Sequence, residues 1–122
     1  MVQVFYDAYD ADDKPRFESV LHPDVEFLPL TRELLCGRTA MLQLLADIEE
    51  HFRVYEVRSE QLIEVGTDAV VAELHRCTRT HRGDVTMEDR FAQAFVVEQG
   101  LIRRIESYKT VADALASREQ TA

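Results

Sequence analysis

The spacing of apolar residues changes once along this chain, near residue 53, and that change constrains the fold most. Before it, apolar residues recur about every 3.6 positions, as they do on one face of an α-helix. After it, they alternate with polar residues and are often β-branched or aromatic, which is typical of strands. Helices followed by a run of strands predict an α+β domain in which helices cover one face of an antiparallel sheet.

The first half of the chain predicts three helices. A short helix carries the apolar residues of 4–9. Either aspartate of the pair 12–13 can cap a second helix, because its carboxylate accepts backbone N–H groups that have no helical partner. Pro15 fits the first turn of that helix, and Pro23 ends it, since the residue before a proline is disfavoured in the helical conformation. The longest helix is expected over residues 39–52.

The second half predicts four strands joined by short turns. Single glycines at 66, 83 and 100 interrupt the alternation, and each connection is short enough to join antiparallel neighbours as a hairpin. Residues 25–28 predict a short strand earlier in the chain, and residues 111–117 a last helical turn or two. The four strands are expected at roughly 54–64, 69–81, 86–97 and 101–109.

The composition excludes several classes of partner. With 23 acidic and 14 basic side chains the chain carries a formal charge of −9, which disfavours nucleic acid and membrane surfaces, since both attract clustered positive charge. No apolar run reaches the ~18 residues of a membrane helix, and the N-terminal residues lack a basic secretory start. Cys36 and Cys77 form no CxxC motif, which fits a reducing compartment. We therefore expect one cytoplasmic domain over residues 1–122.

Five short segments have an order and spacing that match a known family. They are Phe5-Tyr6-Asp7-Ala8-Tyr9, His22-Pro23-Asp24-Val25-Glu26-Phe27, Gly37-Arg38, Gly66 with Asp68, and Gly100-Leu101-Ile102-Arg103-Arg104 leading to Tyr108 and Ala114-Leu115. Together they resemble the SnoaL-like branch of the nuclear transport factor 2-like superfamily, which also holds ketosteroid isomerases and polyketide cyclases. The resemblance implies a cone-shaped fold, in which a strongly curved antiparallel sheet wraps around N-terminal helices and leaves a pocket at its open end.

The turn at Gly83-Asp84 predicts which residues of one hairpin face each other. If these two residues form the turn, Cys77 pairs with Arg90 and His75 with Ala92, and opposite charges meet on one face. A slip of one residue would exchange the faces. The face that is richer in ionisable groups then carries His75, Cys77, Arg79, His81, Glu88, Arg90 and Ala92.

The resemblance implies that this ionisable face looks into the cone. Histidine is the side-chain type suited to proton transfer in the neutral range and arginine can hold a carboxylate or enolate oxygen, so His75 and Arg90 are the candidate catalytic residues. The alternative is that both are solvated or hydrogen-bonded residues of the sheet. The candidate ligand-binding residues are Tyr9, Phe27, Leu28, Cys77, Ala92, Ile105 and Ser107.

The same alignment argues against steroid isomerisation. It puts Leu28, Ala92 and Val4 where the isomerases have their general base, their acidic oxyanion donor and a tyrosine, and none of these can transfer a proton. A metal site is not expected either, because His75 and His81 would lie ~20 Å apart along one strand, whereas zinc lies ~2 Å from its ligands. No cofactor-binding motif is present, so no cofactor is expected.

Two functions of different class stay open. The first is a small-molecule-binding enzyme that acts on an apolar ligand by acid/base chemistry without a cofactor, as an isomerase, cyclase, dehydratase or hydrolase. The second is a non-catalytic module that binds a ligand or a partner. A homodimer is expected through the outer face of the sheet, because an exposed apolar patch usually marks an interface. The residues assigned to that patch are Phe91, Phe95, Val97, Ile102 and Tyr108.

Overall fold

The computed structural model describes residues 2–81 and 86–121 of the chain. The described residues form four helices and six strands. In chain order they are α1 (Val2–Asp10), α2 (Lys14–Ser19), β1 (Leu21–Leu28), β2 (Leu35–Cys36), α3 (Arg38–His51), β3 (Phe52–Val65), β4 (Ala69–Thr80), β5 (Thr86–Glu98), β6 (Leu101–Tyr108) and α4 (Val111–Thr121). All strands belong to one sheet, in the order β2-β1-β6-β5-β4-β3.

The α+β class and the four-stranded meander are confirmed. Strands β3 to β6 pair antiparallel with their neighbours in sequence and lie close to their predicted positions. Strand β1 joins the sheet by running parallel to β6, so the sheet is mixed. Shifts of register within the β1–β6, β3–β4 and β5–β6 pairs are irregularities that bend strands, consistent with a curved sheet.

The second helix is shorter than predicted. Asp13 caps it, with its carboxylate accepting a hydrogen bond from the backbone N–H of Arg16 at 3.2 Å. The helix ends at Ser19, because Leu21 already begins β1 and pairs with Ile102 of β6. Both of these residues are fully buried, so pairing with a distant strand determines this boundary rather than the local apolar spacing.

The predicted register of the β4–β5 hairpin is wrong by two residues. His75 pairs with Arg90, Cys77 with Glu88, and Glu73 with Ala92. A shift of two residues leaves every side chain on its original face, so the predicted grouping of ionisable residues is retained. The turn itself, predicted at Gly83-Asp84, lies outside the described residues.

The two faces of the central strands are covered by different helices. On what we call the inner face, Leu74 of β4 and Phe91 and Phe95 of β5 pack in one apolar core with the residues of α1, α2 and α3. On the outer face, Val71, Ala92 and Ala94 pack against α4. The prediction that helices cover only one face is therefore wrong where α4 lies.

Buried Glu106 of β6 ties α4 to the outer face. Its carboxylate accepts hydrogen bonds from Arg104 Nε at 2.8 Å, from an Nη of Arg118 of α4 at 3.0 Å, and from the hydroxyl of Tyr108. Burial acts to raise the pKa of Glu106, but the hydrogen bond from Tyr108 and the charges of Arg118 and Arg104 outweigh it and lower the pKa. Glu106 is thus an ionised group in a nearly closed site.

We expect Glu106→Gln to lower the free energy of unfolding by about 2 kcal/mol at neutral pH, because it removes a nearly buried carboxylate that accepts hydrogen bonds from Arg118, Arg104 and Tyr108. The pKa of Glu106 is lower in the folded protein than its ordinary value of 4.5, so its contribution to stability is present above that value and is lost as the pH falls through the folded pKa. Urea unfolding at neutral and acidic pH measures this, with the exposed Glu64→Gln as control. An equal difference between wild type and variant at both pH values would contradict it.

Candidate functional site

An apolar cavity of about 80 Å³ lies between α1, α3 and the inner face of the sheet. Helix α3 contributes apolar side chains that recur at helical spacing, from Met41 to Ile48. Helix α1 contributes the aromatic rings of Phe5, Tyr6 and Tyr9. The sheet contributes Val57 of β3 together with Phe91 and Gln93 of β5. The lining residues are Phe5, Tyr6, Tyr9, Phe17, Phe27, Met41, Leu44, Leu45, Ile48, Tyr55, Val57, Phe91 and Gln93.

A wider cleft of about 550 Å³, which we call the outer cleft, adjoins this cavity. Tyr9, Phe17, Leu45, Ile48, Tyr55 and Val57 line both spaces, so the outer cleft leads into the cavity. Its other walls are mostly polar. The charged residues of its lining are Asp10, Asp12, Asp13, Lys14, Glu49, Arg53, Glu56 and Arg58.

A chain of neutral hydrogen bonds reaches the deep wall of the cavity. The hydroxyl of Tyr6 donates to Gln93 Oε1 at 2.7 Å, and Gln93 Nε2 donates to Ser107 Oγ at 3.2 Å. All three residues are buried, and burial raises the pKa of Tyr6 well above its ordinary value. The carbonyl oxygen of Gln93 accepts from Tyr6, whereas the second N–H of its amide donates to none of the residues 2–81 and 86–121 and can donate to a ligand.

Ionised groups also lie on the inner face, nearer solvent. Arg76 of β4 binds the carboxylate of Asp89 of β5 through two of its nitrogens, with Nε at 2.9 Å from Oδ1. Its guanidinium also lies 4.7 Å from the ring centroid of Phe91 and donates to the hydroxyl of Tyr55 at 3.4 Å. The hydrogen bond from Arg76 lowers the pKa of Asp89, so this carboxylate is ionised at neutral pH.

Tyr9 of α1 connects the helical wall of the outer cleft to β3. Its hydroxyl donates to the backbone oxygen of Tyr55 at 3.1 Å. Burial raises the pKa of Tyr9, and negative charge on Asp10 and Glu49 adds to the effect. The phenol therefore stays neutral and serves as a fixed donor.

Of the residues predicted from sequence, some do meet at this cavity. Tyr9 and Phe27 line it, and Ser107 ends the hydrogen-bond chain at its deep wall. Ile105 pairs with Phe95 and is fully buried on the inner face, in the same apolar core. These four placements agree with the prediction of an inward-facing surface.

The prediction that His75 and Arg90 point into the cone is wrong. Both lie on the outer face with Ala92, which packs toward α4, and Cys77 shares that face by alternation. His75 Nε2 is 3.9 Å from Glu88 Oε1. The side chain of Arg90 is 68% exposed and donates to Glu60. The physical reason is that α1 packs on the face that carries the large side chains of β5, so the ionisable face is turned outward.

Two further placements differ from the predictions. Leu28 pairs with Glu106, so it lies on the outer face and not on the cavity wall. In the patch expected to form a dimer, Phe91, Phe95 and Ile102 are buried in the core on the inner face. That patch is not an exposed surface, and the prediction is wrong.

Sequence reasoning missed the polar residues of the inner face. They are Tyr55, Arg76, Asp89 and Gln93. The sequence did contain a signal for Gln93, because Phe91, Gln93 and Phe95 alternate with the small residues Ala92 and Ala94 in β5. Helices bury the larger aromatic side chains first, since they remove the most apolar area from water. Among the described residues, no group of three histidine, cysteine or acidic side chains is placed to hold a metal ion.

Comparison with known proteins agrees with this architecture. Residues 2–105 match the SnoaL-like domain family. The chain belongs to that family. No curated protein sequence matches it. Its structural neighbours are proteins of the nuclear transport factor 2-like and ketosteroid isomerase-like fold, as the resemblance predicted.

Three solved structures illustrate the likeness. An NTF2-like protein of unknown function from Burkholderia pseudomallei shares 19% identity and a TM-score of 0.79 over 94% of this chain and 92% of its own. A putative polyketide cyclase from Pseudomonas putida has 20% identity and a TM-score of 0.74, covering 92% and 90%. A Mycobacterium tuberculosis protein in complex with estradiol-17β-hemisuccinate has 19% identity and a TM-score of 0.73, covering 91% and 92%. At these identities the likeness shows the fold alone.

Proposed function

We propose that this protein binds an apolar small molecule in the continuous space formed by the outer cleft and the cavity between α1, α3 and the inner face of the sheet. One observation carries the proposal. Gln93 is a buried amide with one N–H available to a ligand, and it lies in a cavity wall that is otherwise apolar and aromatic. Ligand sites commonly combine an apolar lining with a few placed polar groups that fix orientation. The ligand that fits has an apolar body and a hydrogen-bond acceptor, such as a ketone oxygen, that meets Gln93.

The comparison with known structures supports this proposal without specifying the ligand. The M. tuberculosis neighbour is in complex with estradiol-17β-hemisuccinate, a steroid whose apolar body carries one carboxyl group, so the fold can accommodate a molecule with a large apolar body. The outer cleft gives such a molecule a way in, because six of its lining residues also line the cavity. No helix among the described residues is long and apolar enough to span a membrane.

Binding can be tested with 6-propionyl-2-dimethylaminonaphthalene, an uncharged fluorescent ketone known as Prodan. We expect saturable binding and a blue-shifted emission, because the naphthalene ring leaves water. Val57→Trp should weaken binding by at least about tenfold, because the indole fills the cavity that Val57 lines. Val54→Trp is the matched control, since Val54 pairs with Arg79 on the opposite face of the same strand. Equal binding by the two variants would contradict the proposal.

Acid/base catalysis is the second candidate function, favoured by the contacts of Asp89. Its carboxylate is ionised, lies on the inner face, and is held by Arg76, which packs over the Phe91 ring of the cavity wall. It can accept a proton, and the nearby hydroxyl of Tyr55 can donate one. The catalytic roles predicted for His75 and Arg90 would require a ligand on the outer face, and this proposal does not use them.

Hydrogen–deuterium exchange separates the enzyme from the binding module. In this alternative the propionyl group of Prodan lies toward Arg76 and Asp89 rather than toward Gln93, and removal of protons next to its carbonyl should speed exchange at the propionyl CH₂ in deuterated water, which mass spectrometry detects. We expect Asp89→Asn to reduce this exchange by about 100-fold, the usual size of a general-base contribution, while Prodan affinity stays unchanged. Exchange at the solvent rate with wild-type protein would exclude this chemistry and leave the binding module.

We also propose that the protein is a cytoplasmic homodimer. Both cysteines are free, as expected in a reducing compartment. The part of the outer face away from α4 carries both signs of charge, with Arg58 and Arg90 near Glu60, Glu73 and Glu88, so a two-fold pairing can match opposite charges.

Sedimentation equilibrium tests the dimer. We expect twice the chain mass of 14.1 kDa at micromolar concentration, and dissociation by Arg90→Glu, which removes positive charge from the proposed interface. Arg32→Glu on an exposed loop makes the same charge change elsewhere and should leave the dimer intact. A single chain mass at every concentration would contradict the proposal.

A further inference from the structure

The outer cleft carries three aromatic side chains close together. The ring centroids of Tyr9 and Tyr55 are 6.2 Å apart with planes at 71°, and those of Phe52 and Tyr55 are 5.2 Å apart at 63°. All three residues line the cleft and are partly exposed to it. The faces of aromatic rings attract cations, and sites that recognise quaternary ammonium groups are commonly built from several aromatic rings.

Carboxylates lie on the helical wall of the same cleft. This wall carries the carboxylates of Asp10, Asp12, Asp13 and Glu49. Lys14, the cation on the same wall, forms an ion pair with Glu49, with Nζ 3.4 Å from Oε1. Neither Asp10 nor Asp12 forms an ion pair with any residue in the described part of the chain. The arginines of the cleft belong to β3, on the other wall. The rings therefore adjoin a negatively charged wall on which the charges of Asp10 and Asp12 are available to a bound cation.

We infer that the ligand of this site carries a tertiary or quaternary ammonium group, which the aromatic rings and carboxylates of the outer cleft hold while the apolar body enters the cavity. This inference rests on the proposed binding function and narrows its ligand class. The two spaces suit the two ends of such a molecule, because the cavity is apolar and the cleft is open to solvent and charged. A methylated ammonium suits this place, since it is weakly hydrated and can touch rings and carboxylates together.

The charges near Tyr9 agree with this assignment. After burial, the negative charges of Asp10 and Glu49 are among the causes that raise the pKa of its phenol. The same negative potential acts on anything bound beside the ring. It favours a cation and opposes a carboxylate ligand, and the formal charge of −9 on the chain acts in the same direction.

Titration calorimetry with benzyltrimethylammonium tests the inference directly, on the full chain and at an ionic strength of about 0.15 M, where only charges within ~8 Å act strongly on the ligand. Neopentylbenzene is the uncharged molecule of the same shape, and its binding is followed by displacement of Prodan. We expect Asp10→Asn/Asp12→Asn to weaken the cation about fivefold and to leave neopentylbenzene unchanged, because only the charged ligand feels the carboxylates. Asparagine is tolerated at residue 12, where φ is 53°.

Two further variants complete the design. Glu33→Gln/Glu64→Gln removes the same charge from exposed positions outside the cleft and should change cation affinity by less than about twofold, since these charges are screened. Phe52→Leu keeps an apolar side chain but removes a ring, and should weaken the cation about threefold.

The possible results distinguish failure of the ammonium assignment from failure of the proposed small-molecule binding. Absence of cation binding, or cation binding that Asp10→Asn/Asp12→Asn leaves unchanged, overturns the ammonium assignment. If Prodan still binds the same preparations, the cavity keeps its proposed role with a different ligand class. If Prodan also fails to bind, the proposed function fails with it. Thermal unfolding of each variant shows whether the fold is retained.

Discussion

The register in which β4 pairs with β5 determines the chemistry of this molecule. Because side chains alternate along a strand, one register assigns Leu74, Phe91 and Gln93 to one face and His75 and Arg90 to the other. The first set lies under α1 and α3, where Leu74 belongs to the apolar core and Phe91 and Gln93 line the cavity. The second set faces away from it. The outcome depends on whether the register moves by an odd or an even number of residues, since only an odd shift exchanges the faces.

Polarity then increases from the cavity toward solvent. The deep wall offers only neutral hydrogen-bonding groups, in the chain from Tyr6 through Gln93 to Ser107. An unpaired ion there would lose its hydration without compensation, which costs several kcal/mol. The ionised Arg76 and Asp89 neutralise each other nearer solvent, and the carboxylates of the outer cleft are exposed. Because polarity increases in this way, we expect a neutral apolar group to bind in the cavity and a charged group to bind in the outer cleft.

Much of the fold could be predicted from the sequence because it depends on local chemistry. The change of apolar period near residue 53 marks the end of α3, and glycines at 66 and 100 separate the strands of the meander. The parallel pairing of β1 with β6 could not be predicted in this way. It joins Leu21 to Ile102, far apart in sequence, and no local pattern specifies such a contact.

The candidate site was harder to predict, for a related reason. Alternation divides a strand into two sets of residues, but it identifies the inward set only when the other set faces water. In β5 both sets are buried in part, since Phe91 and Phe95 meet α1 while Ala92 and Ala94 meet α4. Side-chain size distinguishes the two sets, because the phenylalanines fill the wider space between the sheet and α1, whereas the alanines lie against α4. The resemblance predicted the family correctly, but it predicted the wrong inward face for β4 and β5. For that reason His75 and Arg90 were expected to point into the cone.

The most direct test of the central claim is the position of a bound molecule. Intermolecular nuclear Overhauser effects between Prodan and isotopically labelled protein report which protons lie within contact distance. We predict contacts from the Prodan ring to the methyl groups of Val57 and the ring of Phe91, and from its propionyl group to the side-chain amide of Gln93. Contacts to His75 or Arg90 on the outer face, with none to Gln93, would contradict it.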